Sequence, residues 1–235
     1  MESSPWQRHY DYMVPETFKY PAIPSSEFLI LASKAFPDKT AVNFYGTEIT
    51  FWELRQKTLA MANALGEAGV RQGDRVALHL PNCPQYIIAY YAVLMLGATV
   101  VNLNLMYTAE ELSTICENTG VTTLVSFDMV MANILALARK VEIPRVIITK
   151  VTDFINGFPV STAKELDLEE GWTHFSELLE KTTRNTPPRV DIQPDHAALI
   201  QFTGGTTGIP KGAVLTHGNL VAATIQSATW GTAIT

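Results

Sequence analysis

The sequence predicts an α/β protein in which helices flank a mainly parallel β-sheet. Between residues 74 and 149, short aliphatic and β-branched runs alternate with segments of helical length. This alternation is typical of βαβ units, whose strands run parallel. Apolar residues make up 47% of the 235 residues, which is enough for a substantial core. A further apolar run at 197–202 follows a polar stretch, and we expect it to begin a second sheet.

The amino-terminal part of the chain predicts an arm, a helix and a hairpin. Residues 1–27 contain several prolines and few periodic apolar positions, so we expect an arm that lies over a domain. The segment 26–36 has the pattern of a helix and is followed directly by a proline, which stops a helix. Two strand-like runs, 40–45 and 48–51, flank the dipeptide Gly-Thr at 46–47, which suits a hairpin turn.

Two capping boxes mark the first turns of further helices. In each, a threonine precedes a glutamate by three residues, so that the hydroxyl and the carboxylate satisfy free backbone amides. Thr50 and Glu53 open an amphipathic helix that Gly69 ends. Thr108 and Glu111 open another helix.

The remaining elements alternate along the chain. The predicted strands are 74–80, 98–103, 122–127, 145–149 and 197–202. The other predicted helices are 83–96, 128–140, 175–181 and a last one from about residue 216. The segment 152–195 is more polar and contains prolines, so apart from its short helix we expect a surface connection.

An uncharged segment from Pro84 to Ala109 raises the question of a membrane span. A transmembrane helix needs about 20 continuous apolar residues. Here the strongly apolar run covers only 86–96, and Gly97 and two asparagines interrupt the segment. Because β-branched residues follow the glycine, we interpret the segment as a buried helix and a buried parallel strand.

Charge and cysteine content exclude some classes of function. The net charge is −6 without long runs of one sign, so a nucleic-acid partner is not expected. Cys83 and Cys116 have neither CxxC spacing nor a histidine at ligand spacing, which disfavours zinc. Two scattered thiols favour a reduced, cytoplasmic protein, although the sequence alone does not exclude a disulfide between them. The start of the chain has neither the basic nor the apolar region of a signal peptide.

The strongest chemical signal lies at residues 203–212, which read TGGTTGIPKG. The glycines allow positive φ and a close approach of the backbone to a ligand, and successive amides in such a turn form an anion-binding nest. The threonine hydroxyls are further donors, and the lysine adds a positive charge suited to phosphate. The segment therefore predicts a triphosphate-binding loop. Its candidate residues are Thr203, Gly204, Gly205, Thr206, Thr207, Gly208 and Lys211.

Two well-known phosphate motifs do not fit this loop. A Walker loop needs glycine before the lysine and Ser or Thr after it, whereas Lys211 is followed by Gly212. The spacing of the glycines also fails the GxGxxG dinucleotide fingerprint. An ordinary glycine- and threonine-rich surface turn is the structural alternative. The density of donors beside a lysine, directly after a strand, favours ligand binding.

Residues 200–220, IQFTGGTTGIPKGAVLTHGNL, resemble the signature loop of the adenylate-forming (AMP-binding) superfamily. This superfamily includes acyl–CoA synthetases, luciferases and peptide-synthetase adenylation domains. The TGG start and the later TH are most similar to long-chain fatty acid–CoA ligases. Three more segments, 49–65, 73–86 and 97–112, resemble that family's amino-terminal segments in order. The likeness therefore covers nearly the whole chain.

The resemblance implies an AMP-forming acid–thiol ligase that uses ATP, Mg²⁺ and CoA. A fatty acid carboxylate would attack the α-phosphate to give acyl-AMP and pyrophosphate, and the CoA thiol would then displace AMP. By the same resemblance, Thr203, Thr206 and Thr207 would contact the ATP phosphates, and Thr203 would also help to hold Mg²⁺. Lys211 would stabilise charge on the departing pyrophosphate.

The family's other functional residues lie after this loop. They include the adenine-binding segment, an Mg²⁺-ligating glutamate, a ribose-binding aspartate and a catalytic lysine. We therefore expect the 235 residues to be an amino-terminal fragment that is inactive alone. The expected organisation is an arm at 1–27, an α/β subdomain at 28–190 and the start of a second subdomain at 191–235.

Other interpretations stay open at the level of sequence. The chain could be a non-catalytic nucleotide- or partner-binding module, or part of a superfamily member that activates another carboxylate. A lipid-soluble substrate is compatible with peripheral membrane contact. The sequence is also compatible with a homodimer. His217 has two interpretations, a histidine that lines or supports the ligand pocket and a surface histidine at a helix start. The remaining four histidines show no ligand spacing.

Overall fold

The computed structural model describes residues 5–159, 165–181, 186–203 and 211–232. In these ranges the chain forms a two-stranded sheet, a seven-stranded sheet and seven α-helices. The strands are β1 Thr40–Phe44, β2 Thr47–Thr50, β3 Arg75–Leu78, β4 Thr99–Asn102, β5 Val121–Phe127, β6 Arg145–Thr149, β7 Thr173–His174, β8 Ala197–Thr203 and β9 Lys211–Thr216. The helices are α1 Glu27–Ala35, α2 Phe51–Glu67, α3 Pro84–Met95, α4 Ala109–Thr119, α5 Met131–Ala138, α6 Phe175–Lys181 and α7 His217–Thr232.

Local sequence signals placed the early elements correctly. Strands β1 and β2 pair antiparallel as the predicted hairpin. Both capping boxes are present: the Thr50 hydroxyl accepts from the Glu53 amide at 3.2 Å, and Thr108 and Glu111 repeat the arrangement at 3.3 Å. Such caps satisfy amides that have no partner inside the helix, which is why the helices begin at these residues.

The large sheet confirms the predicted mainly parallel architecture. Its strand order is β7-β6-β5-β3-β4-β8-β9, and every neighbouring pair is parallel except β8 and β9. Strands β3 to β6 are joined by helices that cross over the sheet, as parallel pairing requires. The parallel strands therefore all end at one edge of the sheet, which we call the carboxyl edge.

Helices cover both faces of this sheet. Successive residues of a strand point to opposite faces, so Val76 and Ala77 of β3 enter different core clusters. The first cluster packs the sheet against α1, α2, α3 and α6, and the second packs it against α4 and α5. Strands buried on both faces explain the continuous apolar runs in the sequence.

The uncharged segment is a buried helix and strand, as expected. In α3, Ile88, Ala89 and Ala92 are fully buried, and in β4 Val100 and Val101 are fully buried. Among the helices of the described residues, none is both long and apolar enough to span a bilayer.

The expectation of a second sheet near residue 197 is wrong for the described residues. Strand β8 pairs parallel with β4, with Val101 opposite Ile200, and so extends the existing sheet. The apolar run alone could not distinguish a new sheet from a late strand of the first one, because pairing partners are set by tertiary structure. The division into 1–27, 28–190 and 191–235 stays a prediction.

Candidate phosphate-binding site

Thr203 and Lys211 face each other at the carboxyl edge of the sheet. Thr203 is the last residue of β8, and Lys211 is the first residue of β9 and its antiparallel partner. The Thr203 hydroxyl donates to the carbonyl oxygen of Lys211 over 3.4 Å. The predicted site residues Gly204, Gly205, Thr206, Thr207 and Gly208 lie outside the described residues.

The surroundings of this pair suit an anionic ligand. Open α/β sheets bind ligands at the carboxyl ends of their strands, and β8 ends at that edge beside β4. Thr203 and Lys211 are both exposed. Among the described residues, no carboxylate lies within 4.0 Å of the Lys211 ammonium, so its charge is not neutralised by an ion pair.

A hydrogen bond between two side-chain amides joins β4 and β8 two residues before the end of β8. Asn102, at the end of β4, donates from Nδ2 to Oε1 of Gln201 over 2.9 Å. The two residues are also register partners in the parallel ladder. This contact was missed at the level of sequence, because the residues are 99 positions apart. It holds the end of β8 against its neighbour where the candidate loop begins.

Gly212 lets side chains of β8 fold across β9. A Cβ atom at this position would lie 2.9 Å from Cγ2 of Ile200 and 3.1 Å from the ring of Phe202. Both side chains line an open groove of about 580 Å³ between α4 and the β8–β9 hairpin. The glycine next to Lys211 therefore serves close packing between the strands.

The far end of β9 is fixed by backbone hydrogen bonds. The amide of His217 donates to the carbonyl of His196 over 3.1 Å, and the amide of Gly218 donates to the carbonyl of Pro194 over 2.7 Å. At the same turn, the Thr216 hydroxyl accepts from the Asn219 amide at 3.2 Å, which caps α7. These contacts tie the start of α7 to the start of β8.

His217 is fully buried, so its interpretation as a surface histidine is wrong. Its Nδ1 accepts from the backbone amide of Ser25 at 3.2 Å and lies 2.9 Å from the Ser25 hydroxyl. Burial, with a smaller contribution from the nearby His196, lowers the pKa of His217 to about 4. The ring is therefore neutral near pH 7. The alternative of a pocket-supporting residue stays a prediction.

Several other described titratable groups are buried, among them His174, whose Nε2 lies 3.3 Å from Oδ2 of Asp153. His79 lies 3.1 Å from the Ser126 hydroxyl, and burial lowers its pKa to about 4. Cys83 and Cys116 are free, buried thiols, and burial raises their pKa values to about 11 and 12. Such thiols are protonated and unreactive near neutral pH. In the parts of the chain that the structure describes, no cluster of three or more His, Cys, Asp or Glu residues could hold a metal ion.

Comparison with known proteins agrees with this arrangement. The family model described as "AMP-binding enzyme" matches residues 31–234. A long-chain-fatty-acid–CoA ligase of Bacillus subtilis is 34% identical over 237 residues, which cover 96% of this chain and 42% of the relative. A crotonobetaine/carnitine–CoA ligase of Salmonella agona is 31% identical, with 79% of this chain and 35% of the relative covered.

A solved structure shares the fold. The crystal structure of a long-chain-fatty-acid–CoA ligase from Archaeoglobus fulgidus superposes with a TM-score of 0.75 at 29% identity, covering 91% of this chain and 40% of that one. The chain thus spans about two fifths of the length of these ligases. The family match over most of the chain, together with the β8–β9 hairpin that carries the signature loop, shows that this chain belongs to the family of AMP-binding enzymes.

Proposed function

We propose that this chain supplies the triphosphate-binding part of an enzyme that activates a fatty acid to its CoA thioester. In the first step, the carboxylate attacks the α-phosphate of ATP and releases pyrophosphate to form acyl-AMP. In the second, the CoA thiol attacks the acyl carbon and releases AMP. The observation that carries the proposal is the placement of Thr203 opposite Lys211 on either side of the signature loop, at the ligand-binding edge of the sheet.

In this proposal, Lys211 stabilises the leaving pyrophosphate. Negative charge moves onto the β- and γ-phosphates as the bond to the α-phosphorus breaks, and a positioned ammonium lowers the energy of that charge. Lys211 suits the role because it is exposed and its charge is unopposed by any described carboxylate within 4.0 Å. The loop residues Gly204, Gly205, Thr206, Thr207 and Gly208 would add amide and hydroxyl donors.

Magnesium fits the site as a companion of the nucleotide. Mg²⁺ prefers oxygen ligands and is commonly held by one or two protein groups together with substrate phosphates. The exposed hydroxyl of Thr203 at the end of β8 is such a group. When bound, the ion would supply neutralisation of phosphate charge. Positioning of the triphosphate would come from the chain's own donors.

The proposed acyl donor is a long-chain fatty acid. Support comes from the two fatty-acid ligases that resemble this chain at 34% and 29% identity. The crotonobetaine/carnitine–CoA ligase at 31% identity supports a second candidate, another carboxylate activated by the same chemistry. The proposal also includes a cytoplasmic location, with contact to a membrane surface where a lipid-soluble substrate is collected.

Acid-dependent exchange of labelled pyrophosphate into ATP tests the first step directly. We expect the whole protein to catalyse exchange with palmitate and Mg²⁺, and much less with a short or aromatic acid at equal concentration. Exchange with an aromatic acid alone would favour the second candidate. Tight ATP binding without exchange for any acid would favour a non-catalytic nucleotide-binding module.

A further inference from the structure

The amino-terminal arm, defined here as residues 5–26, runs along α7. Three contacts join them: Ser25 with His217 at 2.9 Å, Tyr20 with Gln226 at 2.6 Å, and the rings of Tyr10 and Trp230 at 5.3 Å. As the residue number falls along the arm, it rises along α7, so the two segments run in opposite directions. The contacts run from residue 217 to residue 230 of the helix, a rise of about 20 Å.

Helix α7 has few other attachments among the described residues. Of its described side chains, only His217 and Val221 are buried. A helix in a folded protein is stabilised mainly by tertiary packing of one face. Strands β8 and β9 contact α7, and the arm adds contacts along its length, of which the one at His217 is buried.

The hydrogen bonds from Ser25 indicate which ring nitrogen of His217 carries the proton. A backbone amide can only donate, so the 3.2 Å contact from Ser25 N places a lone pair on Nδ1 of His217. The proton of the neutral ring is then on Nε2, and the Ser25 hydroxyl, 2.9 Å from Nδ1, donates to the same lone pair. One buried acceptor thus receives two donors from the arm.

The same histidine is linked to the candidate site through β9. His217 follows directly on Thr216, the last residue of β9, and its amide is bonded to His196, just before β8. In the described sheet, β9 is an edge strand that pairs only with β8. Its position is therefore set by that ladder, by the backbone hydrogen bonds at the turn after β9, and by α7.

We propose that His217 is a positioning residue for the phosphate site. By binding Ser25, it fixes α7 to the arm, and through the turn into α7 it holds β9 so that Lys211 stays opposite Thr203. The inference rests on the proposed function for its catalytic consequence, while the coupling between the arm and α7 is independent of it.

Four variants separate this role from general stability. Two breaking variants weaken the pair: His217→Phe removes both hydrogen bonds, and Ser25→Ala removes the one from the hydroxyl while the backbone amide stays. His217→Asn keeps an acceptor near the position of Nδ1. Ser33→Ala is the matched control, because it also removes a buried serine hydroxyl, one that donates at 2.8 Å to Ile30 within α1. Circular dichroism confirms folding of each variant, and Ser25→Ala decides the question if His217→Phe does not fold.

Two measurements are then compared. Amide hydrogen exchange of the 235-residue chain should become at least tenfold faster in α7 and the arm for the two breaking variants, with little change for His217→Asn and Ser33→Ala. In the whole protein, the KM for ATP in pyrophosphate exchange should rise at least fivefold for the breaking variants, while the KM for the fatty acid stays within twofold.

The outcomes distinguish the two proposals. Unchanged amide hydrogen exchange in α7, or an equal increase in Ser33→Ala, would overturn the coupling. Faster amide hydrogen exchange in α7 with an unchanged KM for ATP would overturn the positioning role. If the wild-type protein shows no ATP-dependent reaction, the proposed function fails, and the amide hydrogen exchange data still test the coupling of the arm to α7.

Discussion

Lys211 combines a backbone held in the sheet with a charge that no described carboxylate opposes within 4.0 Å. Its backbone is held in the β8–β9 ladder, while its side chain is exposed at the carboxyl edge of the sheet. The strand fixes where the lysine side chain starts, and its flexible stem lets the ammonium reach a phosphate bound at this edge.

Replacing this lysine should slow adenylate formation. Loss of one donor to charge that develops in the transition state typically costs about 2.7–4 kcal/mol, or about 10²–10³-fold in rate. We expect Lys211→Ala to lower the rate of pyrophosphate exchange by that factor in the whole protein. Lys34→Ala removes an exposed lysine of α1 and should leave the rate within twofold. A Lys211→Ala rate within threefold of wild type would contradict the role.

The buried histidines predict how stability depends on pH. Burial lowers the pKa values of His79 and His217 from 6.5 to about 4, so between these values the unfolded chain binds more protons than the folded one. The free energy of unfolding should therefore be highest above pH 6.5 and fall as the pH drops towards 4. Each histidine contributes a slope of up to about 1.4 kcal/mol per pH unit.

Urea denaturation at pH 7.5, 6 and 5 measures this slope. His79→Phe should reduce it, whereas His9→Gln, which changes an exposed histidine, should not. The window above pH 5 separates histidine protonation from that of carboxylates, whose ordinary pKa values lie near 4. Equal slopes in wild type and His79→Phe would show that His79 titrates normally.

At the level of elements, the packing of the β8–β9 hairpin depends on residue 212 being glycine. An added Cβ at Gly212 would overlap Ile200 and crowd Phe202, at 2.9 and 3.1 Å. Overpacking of this kind costs about 1–3 kcal/mol. We expect Gly212→Ala to lower the free energy of unfolding by that amount in urea denaturation.

Gly231→Ala is the matched control for this change. A Cβ at Gly231 meets no atom within 4 Å, and alanine is favoured over glycine inside a helix. This variant should be neutral or slightly more stable. If both variants had the same free energy of unfolding as wild type, the close contacts at Gly212 would not limit the size of this residue.

Elements with local signals could be predicted from the sequence, and those without them could not. Turn residues marked the first hairpin, and Thr-x-x-Glu spacing marked α2 and α4. Strand β9 was missed because it shows no apolar alternation: its first four residues, 211–214, are all exposed. Without β9, nothing in the sequence could indicate that Thr203 and Lys211 are strand partners.

Strand order in the large sheet was also beyond local reasoning. Strands β4 and β8 pair across about 100 residues, so no turn or spacing joins them. The apolar character of β8 indicated a buried strand, and of its residues Ala198 and Leu199 are buried while the rest are half-buried or exposed. The choice of partner depends on which outer strand of the sheet still has unpaired backbone groups. The burial of His217 escaped prediction for the same reason, since its partner Ser25 is 192 residues away.

At the level of the whole molecule, the chain by itself should not make acyl–CoA. It spans about two fifths of the related ligases, and phosphate contacts alone leave the carboxylate unaligned with the α-phosphate. We expect residues 1–235, given ATP, Mg²⁺, CoA and palmitate, to release no AMP above a blank reaction. Robust turnover that survives removal of host ligases would show that the chain already contains a complete active site.

The arm that packs on α7 has a consequence for the order of events during synthesis. Ser25 leaves the ribosome 192 residues before His217. At about 5–20 residues per second, the arm waits about 10–40 s for the helix it binds. Throughout that interval Tyr10 and Tyr20 have no α7 to contact, so the arm gains these contacts only after α7 is made. Nascent chains arrested before residue 217 should accordingly lose the arm to a protease, whereas released chains should retain it.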